Sequence, residues 1–229
     1  MPRIRGEFVG TDLARWGGVT PDDIHVPSTA ARAAGRSAEL EAMREAYRGA
    51  CRGEVRLLLV DGPSSTGKGG LIDAWLGEHR GGPVIRVHAG AAGAVEAILE
   101  QALAHLSPVR RARHAARTLL DTDHTGDAVI DLLALSEHRL RLREAVDRLL
   151  GELGALEQPP VVVLDGLHAA SRSTVDLLAG LVEDAPFSER PRVLLVATLD
   201  GAPSGRLAEL ARADATRTLT LKLQGRAGV

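Results

Sequence analysis

The sequence predicts a three-layer α/β/α sandwich on a mostly parallel five-stranded sheet, on three observations. Short apolar runs at Leu57 to Val60, Val161 to Leu164 and Val193 to Ala197 read as strands buried on both faces. Stretches with apolar residues at helical spacing separate them, which implies βαβ crossovers and parallel pairing. The first run also leads through Asp61 into a glycine-containing loop that opens a helix.

Taken in chain order, residues 1–34 contain Gly6, Gly10, Gly17, Gly18, Pro21 and Pro27 with no sustained periodicity, and read as an irregular arm. The domain proper spans 35–223. Ser37 caps a helix to about Arg52, with Leu40, Met43, Ala46, Tyr47 and Ala50 at helical spacing. A strand begins near Val55, a helix follows Gly67, and Pro83 to Val87 is the next strand. Helices over about Ala94 to Leu106 and Ala128 to Leu153 precede the strand at Val161. A helix from about Ser173 to Glu183, the strand at Val193, a helix over Gly205 to Arg212 and an alternating strand from Thr218 to Leu223 complete the order. Residues 224–229 form a short tail.

Composition narrows the function classes. Aromatic residues make up 2% of the 229 residues, so Leu, Val, Ile and Ala must build the core. That scarcity also argues against a surface that stacks nucleic-acid bases. A net charge of −2 supplies no field toward nucleic acid or anionic lipid. The basic stretch around Arg110, Arg111, Arg113 and Arg117 reads as a solvated helix face. Cys51 is the only cysteine, which excludes an intramolecular disulfide and a multi-cysteine zinc site. No stretch is long and apolar enough for a leader or a span, and a cytoplasmic location is expected.

The chemistry concentrates in Gly62-Pro63-Ser64-Ser65-Thr66-Gly67-Lys68, a G-x-x-x-x-G-K pattern set between a strand and a helix. Glycines allow a tight turn whose N–H groups face a phosphate, the helix N-terminus adds its dipole, and Lys68 reaches the β and γ phosphates. The expected ligand is a nucleoside triphosphate, ATP, bound across Gly62 to Lys68 with Gly69 and Gly70 opening the helix. A glycine-rich turn with an exposed lysine is the plain alternative. The next position normally carries the Ser or Thr that ligates Mg²⁺; here it is Gly69. Asp165, closing the apolar run at Val161, is the candidate metal-holding carboxylate. A carboxylate capping a turn is its structural alternative.

Leu164-Asp165-Gly166-Leu167-His168-Ala169-Ala170-Ser171, with Thr174, Asp176, Leu177 and Leu178, resembles the "LDDLHWAD…T…LL" segment of the signal-transduction ATPases with numerous domains. Within that group the match is to the ATP-binding module of large LuxR-type regulators. Gly35-Arg36-Ser37-Ala38-Glu39-Leu40 is similar to the group's "GRxxEL" opening, and Val193 to Thr198 to its later polar-ended strand. The resemblance covers residues 35–223. It implies a P-loop ATPase of the AAA type with the 193–197 strand between the loop strand and the acidic strand. It also implies Arg36 near the adenine, Thr198 facing the γ phosphate, and ATP with Mg²⁺ at the carboxyl ends of the strands.

The departures bear on mechanism. The family's second acid is Gly166, its hydroxyl after Lys68 is Gly69, its Trp after the histidine is Ala169, and its Arg near Thr198 gives way to Asp200. Binding groups remain while a group that would position water is missing, so slow or absent hydrolysis is expected. His168 reads as a hydrogen-bonded structural residue, and His88, at a strand end beside the loop, is the other histidine of interest. The expected role is a nucleotide-dependent switch or partner-binding module, with a protein partner or self-association and neither direct DNA binding nor a membrane. Two alternatives stay open: a small phosphotransferase acting on nucleotides or polyphosphate, and an interaction module that no longer binds nucleotide.

Overall fold

The computed structural model describes residues 35–79, 81–112, 131–184 and 191–222. The expectations for the arm at 1–34, for Arg113 and Arg117, and for Leu223 onward lie outside these residues.

The elements are α1 (Ser37–Cys51), β1 (Val55–Asp61), α2 (Lys68–Glu78), β2 (Val84–His88), α3 (Ala94–Ala104) and α4 (Asp131–Gly154). After them come β3 (Val161–Asp165), α5 (Arg172–Ala179), β4 (Val193–Leu199), α6 (Arg206–Leu210) and β5 (Thr216–Thr220). A 3-10 turn, Leu167–Ala169, follows β3, and α5 runs on into a π-helical turn at Gly180–Asp184. The helix expected over Ser173 to Glu183 is thus regular only to Ala179.

The five strands lie in the order β2-β3-β4-β1-β5, and every pairing is parallel. The sheet is therefore wholly rather than mostly parallel. β4 sits between β1 and β3, the placement expected from the resemblance.

Alternation along the strands explains why they read as unbroken apolar runs. Leu57, Leu59, Val162, Leu164, Val193, Leu195 and Ala197 pack on one face with α3, α4, α5 and α6. Leu58, Val60, Val161, Val163, Leu194 and Val196 pack on the other with α1 and α2. A strand covered on both faces has no polar side. β2, at one edge, shows the exception: Arg86 and His88 are exposed between buried Ile85 and Val87.

Among the described residues, the aromatic side chains Tyr47 and Trp75 lie on the α1–α2 face. Trp75 stacks on His79 (5.3 Å between centroids), and Tyr47 meets His79 edge-on at 4.4 Å.

Candidate functional site

The site gathers at the carboxyl ends of β1, β4 and β3. Residues 62–67 connect β1 to α2. The Thr66 N–H and hydroxyl both donate to the Pro63 carbonyl, at 3.0 and 2.8 Å, closing a tight turn. Gly67 then adopts φ 79°, a left-handed conformation that turns the chain into α2.

Lys68 opens α2 and is only 7% exposed. Its ammonium curls over the loop and donates to the carbonyls of Gly62 (2.6 Å) and Pro63 (3.0 Å). The same Nζ stands 2.6 Å from Oδ1 of Asp200, while the Ser64 hydroxyl donates to Oδ2 at 2.9 Å. Hydrogen bonds from Lys68 first, and from Ser64 second, hold the Asp200 carboxyl below the ordinary carboxylate range. A carboxylate thus faces the loop ammonium where a phosphate would be received. The Gly201 N–H, bonded to Asp61 Oδ1 at 3.0 Å, ties this turn to the end of β1.

Arg36 is 4% exposed. Its Nη2 donates to the carbonyls of Thr66 (2.8 Å) and Lys222 (3.2 Å), and Nη1 lies 3.5 Å from Glu39. Its guanidinium therefore braces the back of the loop and joins it to the end of β5. Thr198 is buried at the end of β4, in register with Val60 of β1, and its hydroxyl accepts from the Gly166 N–H at 2.8 Å.

Asp165 closes β3. Its Oδ2 accepts from Arg86 Nε at 2.8 Å, and Arg86 Nη1 donates to Asp73 of α2 at 2.5 Å. These carboxylates, Asp165 foremost, push the guanidinium pKa upward. Arg86 also meets the position that lacks a hydroxyl. A Cβ built on Gly69 would lie 3.9 Å from Arg86 Nη2.

The fold ordinarily places Mg²⁺ between a hydroxyl after the loop lysine and this carboxylate, and the residues present do not fit it. Position 69 offers no oxygen, the Thr66 hydroxyl turns to Pro63, and Asp165 is engaged by a cation. Among the described residues, no group of three or more His, Cys, Asp or Glu side chains is arranged to hold a metal.

The missing second acid has a steric counterpart. Gly166 has φ 75°, and a Cβ on it would lie 2.8 Å from Cε1 of His88. The His88 ring is fixed there, its Nδ1 2.8 Å from the Asp165 carbonyl. The His168 side chain, expected to be structural, is exposed just beyond.

Of the basic stretch, Arg111 reaches back to the carbonyls of Leu103 (3.2 Å) and Ala104 (3.0 Å) and caps α3. The sequence reading missed Arg86 and Asp73. The available signal was a strand, Val84–His88, that alternates apolar and basic residues instead of running apolar throughout.

Residues 32–196 match a family model described as the AAA ATPase domain. Among solved structures, Cdc6p of Pyrobaculum aerophilum is similar at 12% identity with a TM-score of 0.53, over 87% of this chain and 47% of that one. A Walker-type ATPase of Pyrococcus abyssi aligns at 22% identity with a TM-score of 0.41, over 71% of this chain and 44% of its own. The chain thus spans less than half the length of either. The Cdc6p likeness supports the fold alone. No curated protein matches the sequence.

Proposed function

The chain belongs to the AAA ATPase domain family, and we propose that it is an ATP-binding module acting as a nucleotide-dependent switch or partner-binding unit, with slow or absent hydrolysis. The observation that carries this reading is the buried Lys68 ammonium, held in the mouth of a left-handed loop-to-helix turn by two loop carbonyls and an anionic group. An ammonium so placed exchanges the Asp200 carboxylate for a phosphate with little rearrangement. The first turn of α2 adds N–H groups and the positive end of its dipole. Gly62 to Gly70 would then line the polyphosphate, with Thr198 nearby at the end of β4. Arg36 supports the loop from behind.

Slow turnover follows from Gly166. Hydrolysis needs a group that orients or deprotonates the attacking water. Position 166 carries none, and His88 fills the space that such a side chain would enter. Every tenfold loss of rate corresponds to about 1.36 kcal/mol of barrier. A switch read out by a partner does not require fast turnover, which agrees with the resemblance to LuxR-type regulator modules.

Isothermal titration with ATP and with ADP tests binding, and Lys68→Ala should abolish the specific heat. An unchanged titration in that variant would exclude the loop as the site. Single-turnover assays with γ-labelled ATP test the second half; rapid release of phosphate would contradict it. The rival reading, a module that no longer binds nucleotide, draws on the same Lys68–Asp200 contact. Under that reading neither nucleotide would give heat, with or without Asp200.

A further inference from the structure

A magnesium ion beside a P-loop triphosphate is shared by two elements: the helix after the loop, through its hydroxyl, and the acidic strand, through its carboxylate. In this chain the same two elements are already joined by a cation of the protein's own. The Arg86 guanidinium binds Asp165 at the end of β3 through Nε (2.8 Å) and Asp73 on α2 through Nη1 (2.5 Å). Its remaining nitrogen, Nη2, faces the first turn of α2 at Gly69, where the hydroxyl would otherwise stand.

We infer that this chain binds the polyphosphate of its nucleotide without a divalent cation, the Arg86 guanidinium taking the position and the charge-balancing role of the metal. The inference rests on the nucleotide-binding reading above and specifies its ligand as metal-free ATP or ADP.

Three arguments converge on it. Mg²⁺ demands near-ideal octahedral oxygen coordination and gives up its waters reluctantly, so it needs anionic or hydroxyl oxygens that are free to receive it. Here the hydroxyl is missing and Asp165 is paired. A guanidinium is a permanent cation whose donors form a rigid fork suited to phosphate oxygens, and two carboxylates fix this one in orientation. Finally, position 69 has no side chain in the space beside Arg86 Nη2, which would lie 3.9 Å from a Cβ there. A divalent ion at this position would have to displace the guanidinium from Asp165.

The test uses the intact chain and titrates ATP and ADP by calorimetry in excess EDTA and in millimolar MgCl₂. The expected result is an ATP affinity in EDTA equal to, or up to about tenfold tighter than, that in MgCl₂. Arg86→Ala, checked for native circular dichroism, should bind ATP at least tenfold more weakly in EDTA. The pair Gly69→Ser with Arg86→Ala should bind more tightly when Mg²⁺ is added. A tenfold or greater gain from Mg²⁺ in the unmodified protein overturns the inference while leaving nucleotide binding intact. So does an Arg86→Ala variant with unchanged affinity in EDTA. Absence of heat in both buffers overturns the nucleotide-binding reading itself and this inference with it. The comparison of buffers needs no variant, so it stands even where a substitution impairs folding.

Discussion

On the proposed function, the contact between Lys68 and Asp200 sets a threshold for nucleotide binding, and Asp200→Asn measures it. The ammonium and carboxylate are 2.6 Å apart, and Ser64 adds a hydrogen bond at 2.9 Å. A phosphate arriving at Lys68 must displace that carboxylate. Lys68 is nearly buried, whereas the Asp200 side chain keeps 33% of its surface in water. The pair therefore falls between exposed ion pairs, worth about 0.2–1 kcal/mol, and buried ones, whose disruption costs about 3–5 kcal/mol. An intermediate value of about 1–2 kcal/mol follows, and at about 1.4 kcal/mol per tenfold it corresponds to ATP binding roughly 5- to 30-fold tighter in Asp200→Asn. The same pair stabilises only the free state, so the free variant should be less stable by a similar amount, while the ATP-bound forms should be equally stable. The depressed carboxyl pKa gives a further check. A carboxyl held below its ordinary value of 3.8 contributes fully above that value and loses its contribution as pH falls through the lowered one. The affinity gain should therefore be constant from about pH 5.5 to 8.5. Calorimetric titration of both proteins at three pH values, with urea denaturation of each free form, supplies the measurements. Unchanged or weakened ATP binding in Asp200→Asn would refute the competition between carboxylate and phosphate.

Gly166→Glu places a side chain at φ 75° against His88, so it should cost about 1–2 kcal/mol and lower Tm by roughly 2–8 °C in thermal melts. Adding His88→Ala should recover part of that loss. Arg36→Ala removes a charged donor from the Thr66 and Lys222 carbonyls and should cost about 2–3 kcal/mol in urea denaturation. Arg36→Lys, which keeps the charge and loses the fork, should restore only a fraction. Burial between Tyr47 and Trp75 lowers the His79 pKa, so the unfolded chain takes up a proton before the folded one does. Stability should then be constant above about pH 7.5, fall as pH drops below the ordinary value of 6.5, and level off below the lowered value. Thermal melts of His79→Phe should lose that decline.

How far the sequence revealed this molecule follows from how local each signal is. β1, β3 and β4 were legible because strands covered on both faces read as uninterrupted apolar runs. The strand order was legible only through the resemblance, since no local pattern specifies which strands pair. β5 was expected at Thr218 to Leu223 and lies at Thr216–Thr220, because its register is set by β1: Leu57 pairs with Thr216 and Asp61 with Thr220. Leu221 is buried past the strand's end and donates its N–H to Asp61 O at 2.7 Å. Within the candidate site, the loop and Asp165 could be singled out because each closes or follows an apolar run within a few consecutive residues. Arg86 was not. Its partner Asp165 is 79 positions away, and only the parallel pairing of β2 with β3, which aligns His88 with Asp165, brings them together.

The residues at positions 69, 166 and 200, where the chain departs from the pattern it resembles, are each matched by a neighbour. A catalytic side chain lost without compensation leaves a gap or an unpartnered group, and buried polar groups in that state are costly. Here each altered position faces a residue that uses the change, and each such contact has a second anchor. Arg86 reaches Gly69 and is held by Asp73 as well as Asp165. His88 lies against Gly166 and is fixed by the Asp165 carbonyl. Asp200 meets Lys68 and is secured by Ser64. Two of these contacts converge on Asp165, one at its carboxylate through Arg86 and one at its backbone carbonyl through His88. The pairs Gly69→Ser with Arg86→Ala and Gly166→Glu with His88→Ala should therefore be non-additive in urea denaturation, because one touches the Asp165 carboxylate and the other its backbone carbonyl; additivity within about 0.5 kcal/mol would refute that coupling.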